Sequence, residues 1–148
     1  MNTVDEILDF AIKREAEAAA FYLNLAGRTE SANMKSVFLE FSEEEQQHKA
    51  RLENVKQGEH ALSAQQEVVD LKMSDYLVDV EVNDDLDYQD ALIVGMKREQ
   101  AAFQLYSDMA ANVADETIRD LFQGLAKEEA KHKLYFESEY DERVLTDN

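Results

Sequence analysis

Two Glu-x-x-His segments are the features of this sequence best suited to do chemistry. They run from Glu45 to His48 and from Glu129 to His132, 84 residues apart. Side chains three positions apart lie on the same face of a helix, so each segment would present a carboxylate and an imidazole together. Oxygen and imidazole donors suit divalent metals such as iron and manganese. A single copy of this pattern is common on solvated helices, but two copies in matching register indicate a metal site.

An internal repeat surrounds the two segments. Sliding the chain by 84 residues without a gap gives 13 identities over the 52 positions from 5 to 56. The same register pairs Glu15 with Glu99, so each half of the repeat carries a further glutamate upstream of its Glu-x-x-His segment. Composition alone would not align two of the three histidines in this way.

Long helices are the elements that must position these groups. Proline is absent and glycine occurs four times in 148 residues, and the apolar spacing predicts helices over about residues 4–27, 31–57, 88–112 and 115–141. Thr3 and Asp87 are candidate N-caps, and we expect residues 143–148 to fray. Short links make two antiparallel hairpins, which the partly apolar segment 58–86 would join as a crossover. The expected fold is a single all-α domain, a four-helix bundle with the connectivity of ferritin-like proteins.

The four glutamates fall at one level of such a bundle. Glu15 and Glu45 are equally far from the first link, and Glu99 and Glu129 are equally far from the second. All four carboxylates would interrupt apolar stripes, where they repel each other and lose hydration. Lysine and arginine are missing from those stripes, whereas two divalent cations would balance the four charges. We therefore predict a dinuclear site, holding iron or manganese rather than a structural zinc.

Composition excludes several other functions. Thirty-three acidic residues against fifteen basic ones give a formal charge of −18, which disfavours nucleic acid and anionic membranes as partners. The chain has no cysteine, so thiolate chemistry and sulfur-ligated metals are excluded. Since no run of about 18 apolar residues occurs, we expect no membrane partner and a cytoplasmic location.

Several stretches resemble the rubrerythrin branch of the ferritin-like superfamily, and the likeness covers nearly the whole chain. They are Ala11 to Glu15 continuing through Tyr22, Asp70-Leu71-Lys72 to Tyr76-Leu77, Tyr88 to Leu92, and Glu128 to Lys133. The resemblance implies a non-haem di-iron centre in which Glu45 and Glu129 bridge the metals. It implies six ligands in all: Glu15, Glu45, His48, Glu99, Glu129 and His132.

Two departures from that family pattern affect what it implies. Ala102 stands where rubrerythrins have an additional glutamate that takes part in redox-linked iron movement. The cysteine-ligated rubredoxin domain that supplies electrons in rubrerythrins also has no counterpart, so an electron donor would be a separate, rubredoxin-like protein.

Other polar residues have two interpretations each. Tyr22 and Tyr106 each follow a candidate ligand by two helical turns, so they are either hydrogen-bond donors near the metals or ordinary core residues. Glu44 and Glu128 match in the repeat and either orient a ligand or are solvated beside the apolar stripes, and we favour the solvated interpretation. His60, outside both motifs, is expected in an exposed loop.

The leading functional hypothesis is a redox enzyme. Two iron ions, with manganese or a mixed pair as the alternative, would reduce hydrogen peroxide or dioxygen with electrons from an external donor, in a chain that we expect to form a homodimer. Iron oxidation and storage without turnover is a second hypothesis, and hydroxylation of an organic substrate is a third. A purely structural bundle is disfavoured, because apolar residues would fill the six positions better.

Overall fold

Four long helices make up most of the computed structural model, which describes residues 2–58, 68–78 and 86–147. They are α1 (Val4–Arg28), α2 (Ala32–Gln57), α3 (Tyr88–Asn112) and α4 (Glu116–Asp147). The all-α, four-helix architecture predicted from the sequence is confirmed. His60 and most of the crossover segment lie outside the described residues.

Side-chain caps set where the helices begin. Thr3 and Glu6 form a reciprocal capping box at the start of α1, and Ser31 accepts a hydrogen bond from the amide of Met34 at 3.1 Å before α2. Asp87 caps α3 through the amide of Gln89 at 3.2 Å, and Asp115 accepts from the amide of Ile118 at 3.1 Å. Each cap satisfies amides that have no partner within the helix. The links between the helices of each hairpin span only residues 29–31 and 113–115.

Helix α4 is longer than the sequence analysis predicted. It continues to Asp147, through the residues that were expected to fray from Arg143 onward. The Arg143 Nε donates to Glu139 at 3.0 Å, one turn earlier, and its guanidinium lies 4.9 Å from the ring centre of Tyr88. No glycine or proline follows Gly124, so nothing in the sequence stops the helix there.

The described part of the crossover is attached to both hairpins. Strands β1 (Asn2–Thr3) and β2 (Val68–Val69) pair in antiparallel register, and the Asn2 side chain donates to the Leu71 carbonyl at 2.6 Å. A short 3-10 helix over Met73–Tyr76 follows, where the Tyr76 hydroxyl donates to Asp108 of α3 at 2.7 Å. These contacts hold the crossover against the open side of α1 and α3.

The apolar core consists of two clusters separated by a polar layer. One contains Ile7, Leu52, Met109 and Phe122, and the other is built around the rings of Phe21, Tyr22, Phe38 and Phe136. The layer between them holds Glu15, Glu45, His48, Glu99, Glu129 and His132, none more than 3% exposed. Among the residues described, no helix has the length and apolar character that crossing a membrane requires.

A pair of glycines tests how closely α3 packs against α4. A Cβ at Gly95 would lie 2.5 Å from the Phe136 ring, whereas a Cβ at Gly124 would meet nothing within 4 Å. We expect Gly95→Ala to lower the free energy of unfolding by about 1–3 kcal/mol through overpacking. Gly124→Ala should raise it by about 0.5–1 kcal/mol, since alanine favours the helix. Urea unfolding measures both, and equal effects would contradict the packing described.

Candidate metal centre

The six predicted ligands come together as two overlapping groups. Glu15, Glu45, His48 and Glu129 bring one ligand atom each within 4.8 Å of one another, and so do Glu45, Glu99, Glu129 and His132. Glu45 and Glu129 belong to both groups, which is the position expected of carboxylates that bridge two ions. The structure thus offers two overlapping sets of donor atoms that share two carboxylates.

Each imidazole directs its Nδ1 atom into the cluster. His48 Nδ1 lies 2.9 Å from Glu129, 3.4 Å from Glu45 and 3.5 Å from Glu15. His132 Nδ1 lies 3.2 Å from Glu45 and 3.7 Å from Glu99. Each ring therefore contacts carboxylates of both hairpins, so neither hairpin forms its half of the site alone.

The Nε2 atoms point the other way, toward two glutamates that were expected to be solvated. His132 Nε2 makes a hydrogen bond of 2.6 Å with Glu44, and His48 Nε2 lies 2.5 Å from Glu128. The prediction that these side chains are simply solvated is therefore wrong, although Glu128 remains 40% exposed. A residue beside the stripe on one helix reaches the neighbouring helix of the other hairpin. The signal was present in the sequence, because Glu44 and Glu128 match in the repeat.

Such carboxylates fix the orientation and tautomer of a metal-binding imidazole. A proton on His132 Nε2 that is held by Glu44 leaves Nδ1 free to coordinate, and Glu128 places a negative charge beside Nε2 of His48. The negative charge nearby also makes the ring a stronger donor. Both effects would favour a metal at the Nδ1 side.

The two tyrosines are both core residues and hydrogen-bond donors. Tyr22 is fully buried and donates its hydroxyl to Glu99, while Tyr106 is 1% exposed and donates to Glu15. Each bond crosses from one hairpin to the other rather than returning to the glutamate on the same helix. Burial and the surrounding carboxylates raise the pKa of both hydroxyls well above the ordinary value, so they remain protonated donors.

Without cations the cluster needs protons to limit its negative charge. Burial raises the pKa of Glu45 well above its ordinary range, as do Glu15 and Glu99, and burial and Glu45 do the same for Glu129. Burial would lower the pKa of His132, but the adjacent carboxylates of Glu45 and Glu99 raise it to about 11. Glu99 has a lowered pKa, because its interactions with Glu129 and His132 outweigh its burial. Cations would displace these protons.

Unsatisfied atoms inside the cluster fit a metal. The side-chain atoms Glu15 Oε2, Glu45 Oε1, Glu99 Oε2 and His132 Nδ1 are buried and have no hydrogen-bond partner in the described part of the chain. A buried polar atom left without a partner costs about 1–3 kcal/mol. Oxygen and imidazole donors of this kind match the preference of iron or manganese, and coordination would satisfy all four atoms.

A small cavity opens onto the cluster from the side of α1 and α3. Its volume is about 40 Å³, and its lining includes the four carboxylates together with Ala18, Ala102 and Tyr76. Ala18 and Ala102 are partners in the repeat, and their small side chains leave this space open. By volume it holds about three water-sized molecules.

We expect the metal-free protein to lose stability as the pH rises above about 6.5. His132 has its pKa raised to about 11 by folding, so its contribution is complete below the ordinary histidine value and disappears toward pH 11. Glu45 and Glu129, with raised values, change stability in the same direction. The expected slope is on the order of 1 kcal/mol per pH unit, measured by urea unfolding between pH 7 and 9. The stability of the metal-loaded protein should depend less on pH. Identical slopes for the two forms would contradict the raised pKa values of His132, Glu45 and Glu129.

Glu45→Gln should separate stability from metal binding. Because the pKa of Glu45 is raised in the folded protein, its carboxyl must take up a proton on folding, and a neutral glutamine avoids that cost. The metal-free protein should therefore gain roughly 1–2 kcal/mol of stability, while metal affinity falls because a shared carboxylate is lost. Glu43→Gln, an exposed change on the same helix, is the matched control and should alter neither quantity. Thermal unfolding measures the stability of each variant, and metal titration measures its metal affinity. A metal-free E45Q protein less stable than the wild type would contradict repulsion within the cluster.

Known proteins resemble the chain in both sequence and fold. A family model for rubrerythrin matches residues 6–140. A protein from Thermotoga maritima, described as a ferritin-like diiron-carboxylate protein, superposes with a TM-score of 0.78 at 19% identity, covering 96% of this chain and 97% of that one. A hypothetical protein from Pyrococcus furiosus has a TM-score of 0.75 at 27% identity, covering 96% of this chain and 90% of the other. No curated protein matches the sequence significantly.

The match to the family model spans most of the chain and includes all six predicted ligands. The fold agrees with it, since the ferritin-like architecture of the Thermotoga maritima protein is also the architecture found here. The chain belongs to the rubrerythrin family.

Proposed function

We propose that this chain is a non-haem di-iron protein that reduces hydrogen peroxide, or dioxygen, with electrons from a separate donor protein. The observation that carries the proposal is the pair of overlapping ligand groups that share Glu45 and Glu129. Membership of the rubrerythrin family supports iron as the metal. A related protein is described as a diiron-carboxylate protein, which is consistent with the same choice.

One ion would be held by Glu15 and His48, and the other by Glu99 and His132. Both ions would also be bound by Glu45 and Glu129. Two ferrous ions bound there would supply the two electrons that cleave the O–O bond of peroxide. Two protons complete the conversion of one peroxide into two water molecules, and the external donor then restores the two electrons. Because bridging carboxylates are shared, six protein ligands leave coordination positions available for a small molecule.

The remaining residues of the centre hold these ligands in place. Tyr22 and Tyr106 fix Glu99 and Glu15 across the hairpin interface, and Glu44 and Glu128 orient the imidazoles. The aromatic and aliphatic clusters on both sides of the polar layer exclude bulk water.

The size of the cavity favours a small substrate. About 40 Å³ beside the carboxylates accommodates peroxide or dioxygen, which have two heavy atoms each. An organic substrate for hydroxylation needs a larger apolar pocket in contact with the metals. Peroxide or dioxygen reduction is therefore favoured over hydroxylation.

Anaerobic iron loading followed by rapid mixing with hydrogen peroxide tests the proposal. We expect two ferrous ions per chain and fast oxidation of both by one peroxide, followed in absorbance. Glu129→Ala should slow the oxidation at least ~10-fold through loss of the shared ligand, whereas E43Q, the exposed control, should match the wild type. Failure to bind iron, or oxidation unaffected by E129A, would overturn the proposal.

Repeated turnover distinguishes an enzyme from a storage protein. With an excess of reductant and a reduced rubredoxin as donor, we expect many peroxides to be consumed per chain at two electrons each. An iron-storing protein would instead oxidise its iron once and accumulate ferric iron in a large assembly, which light scattering detects.

A further inference from the structure

Two arginines line the outer part of the cavity that opens onto the metal centre. Arg14 lies on α1 and Arg98 on α3, and they are partners in the 84-residue repeat. The inner wall, which is the more deeply buried one, carries Glu15, Glu45, Glu99 and Glu129, and Ala18 and Ala102 also line the cavity. The cavity therefore runs from guanidinium groups at its outer end to the ligand carboxylates at its inner end.

Acidic groups only partly satisfy these arginines. Arg14 Nη1 lies 3.0 Å from Glu17, but its Nε is buried without a hydrogen-bond partner. Arg98 is half-buried and lies 5.1 Å from the ring centre of Phe21. In the described part of the chain no carboxylate lies within ion-pairing distance of Arg98, and burial lowers the pKa of its guanidinium. In the repeat Glu17 corresponds to Ala101, so α1 has an acidic residue at this position and α3 does not.

A half-buried guanidinium next to an apolar cavity suits a planar anion. The fork of N–H donors matches the two oxygens of a carboxylate, and a cavity with space for about three water-sized molecules accommodates the three heavy atoms of formate. Bicarbonate is also planar, with four heavy atoms, whereas phosphate is tetrahedral, with five. The residues thus favour a small planar anion.

We propose that this cavity binds a small carboxylate-class anion, such as formate or bicarbonate, between the Arg14–Arg98 pair and the metal centre. The inference rests on the proposed function, since the four carboxylates of the inner wall would repel an anion unless cations neutralise them. Anion and metal must therefore assist each other. Because linkage is reciprocal, an anion that binds only the loaded site raises the metal affinity by the same factor.

A redox-inert titration tests this coupling on the full chain. Mn²⁺ binding is measured by calorimetry or by loss of the free-ion paramagnetic resonance signal, with sodium formate or with sodium chloride at equal ionic strength. We expect formate to tighten Mn²⁺ binding by about fivefold or more, the lower range of known couplings. Bicarbonate should act similarly, and phosphate should not.

Three variants locate the effect. Arg98→Gln removes the guanidinium, and Ala102→Leu fills the cavity while keeping both arginines. Each should abolish the formate effect. Lys35→Gln, an exposed lysine on α2, loses the same charge and should retain it. Circular dichroism and melting temperature establish that each variant folds, and the two variants provide independent tests.

The outcomes separate this inference from the proposed function. Absence of Mn²⁺ binding would overturn both. Two Mn²⁺ ions bound with the same affinity in formate and chloride would overturn the anion site alone. A formate effect that persists in R98Q but disappears in A102L would show coordination to the metals without the arginines, and would overturn the site as assigned.

Discussion

The mutual repulsion of four buried carboxylates is the constraint on which the rest of this structure depends. Glu15, Glu45, Glu99 and Glu129 lie in a layer between two apolar clusters, where low polarity strengthens their repulsion. In the metal-free protein the pKa values of Glu45 and Glu129 are raised, so protons neutralise negative charge that cations would otherwise balance. The layer opposes folding by itself, so the apolar clusters on either side must supply the stability. Apolar residues of similar volume would stabilise the bundle more, which is a physical reason to assign these carboxylates to function.

Contacts across the hairpin interface complete the site. Tyr22 reaches Glu99, Tyr106 reaches Glu15, and each imidazole contacts glutamates of the opposite hairpin. Each hairpin alone would therefore contain only half of the candidate ligands. The groups that orient those ligands would all be on the other hairpin. A metal bound to the assembled bundle would stabilise the interface between the hairpins, so that its binding energy would contribute to folding.

Most of the fold and all six candidate ligands could be predicted from the sequence, because periodicity and the repeat carry that information. Equal distances from a turn place Glu15 beside Glu45 without any knowledge of packing. The partners of Glu44 and Glu128 could not be predicted this way, since a stripe analysis identifies the face toward the core but not the neighbouring helix that a flanking residue touches. The acceptors of the tyrosine hydroxyls were missed for the same reason. The extension of α4 is supported by a tertiary contact, that of the Arg143 guanidinium with the Tyr88 ring of α3, which helical periodicity does not reveal.

The two sides of the metal layer differ despite the internal repeat. On the side of α2 and α4, each imidazole has Nδ1 toward the carboxylates and Nε2 against a glutamate, so that side is filled by ligands and the groups that orient them. On the side of α1 and α3, Ala18 and Ala102 leave a cavity. A coordination position that stays free of protein atoms must therefore face α1 and α3. In the described part of the chain, Arg14 and Arg98 line this same cavity, so their positive charge lies on the side that has space for a small molecule.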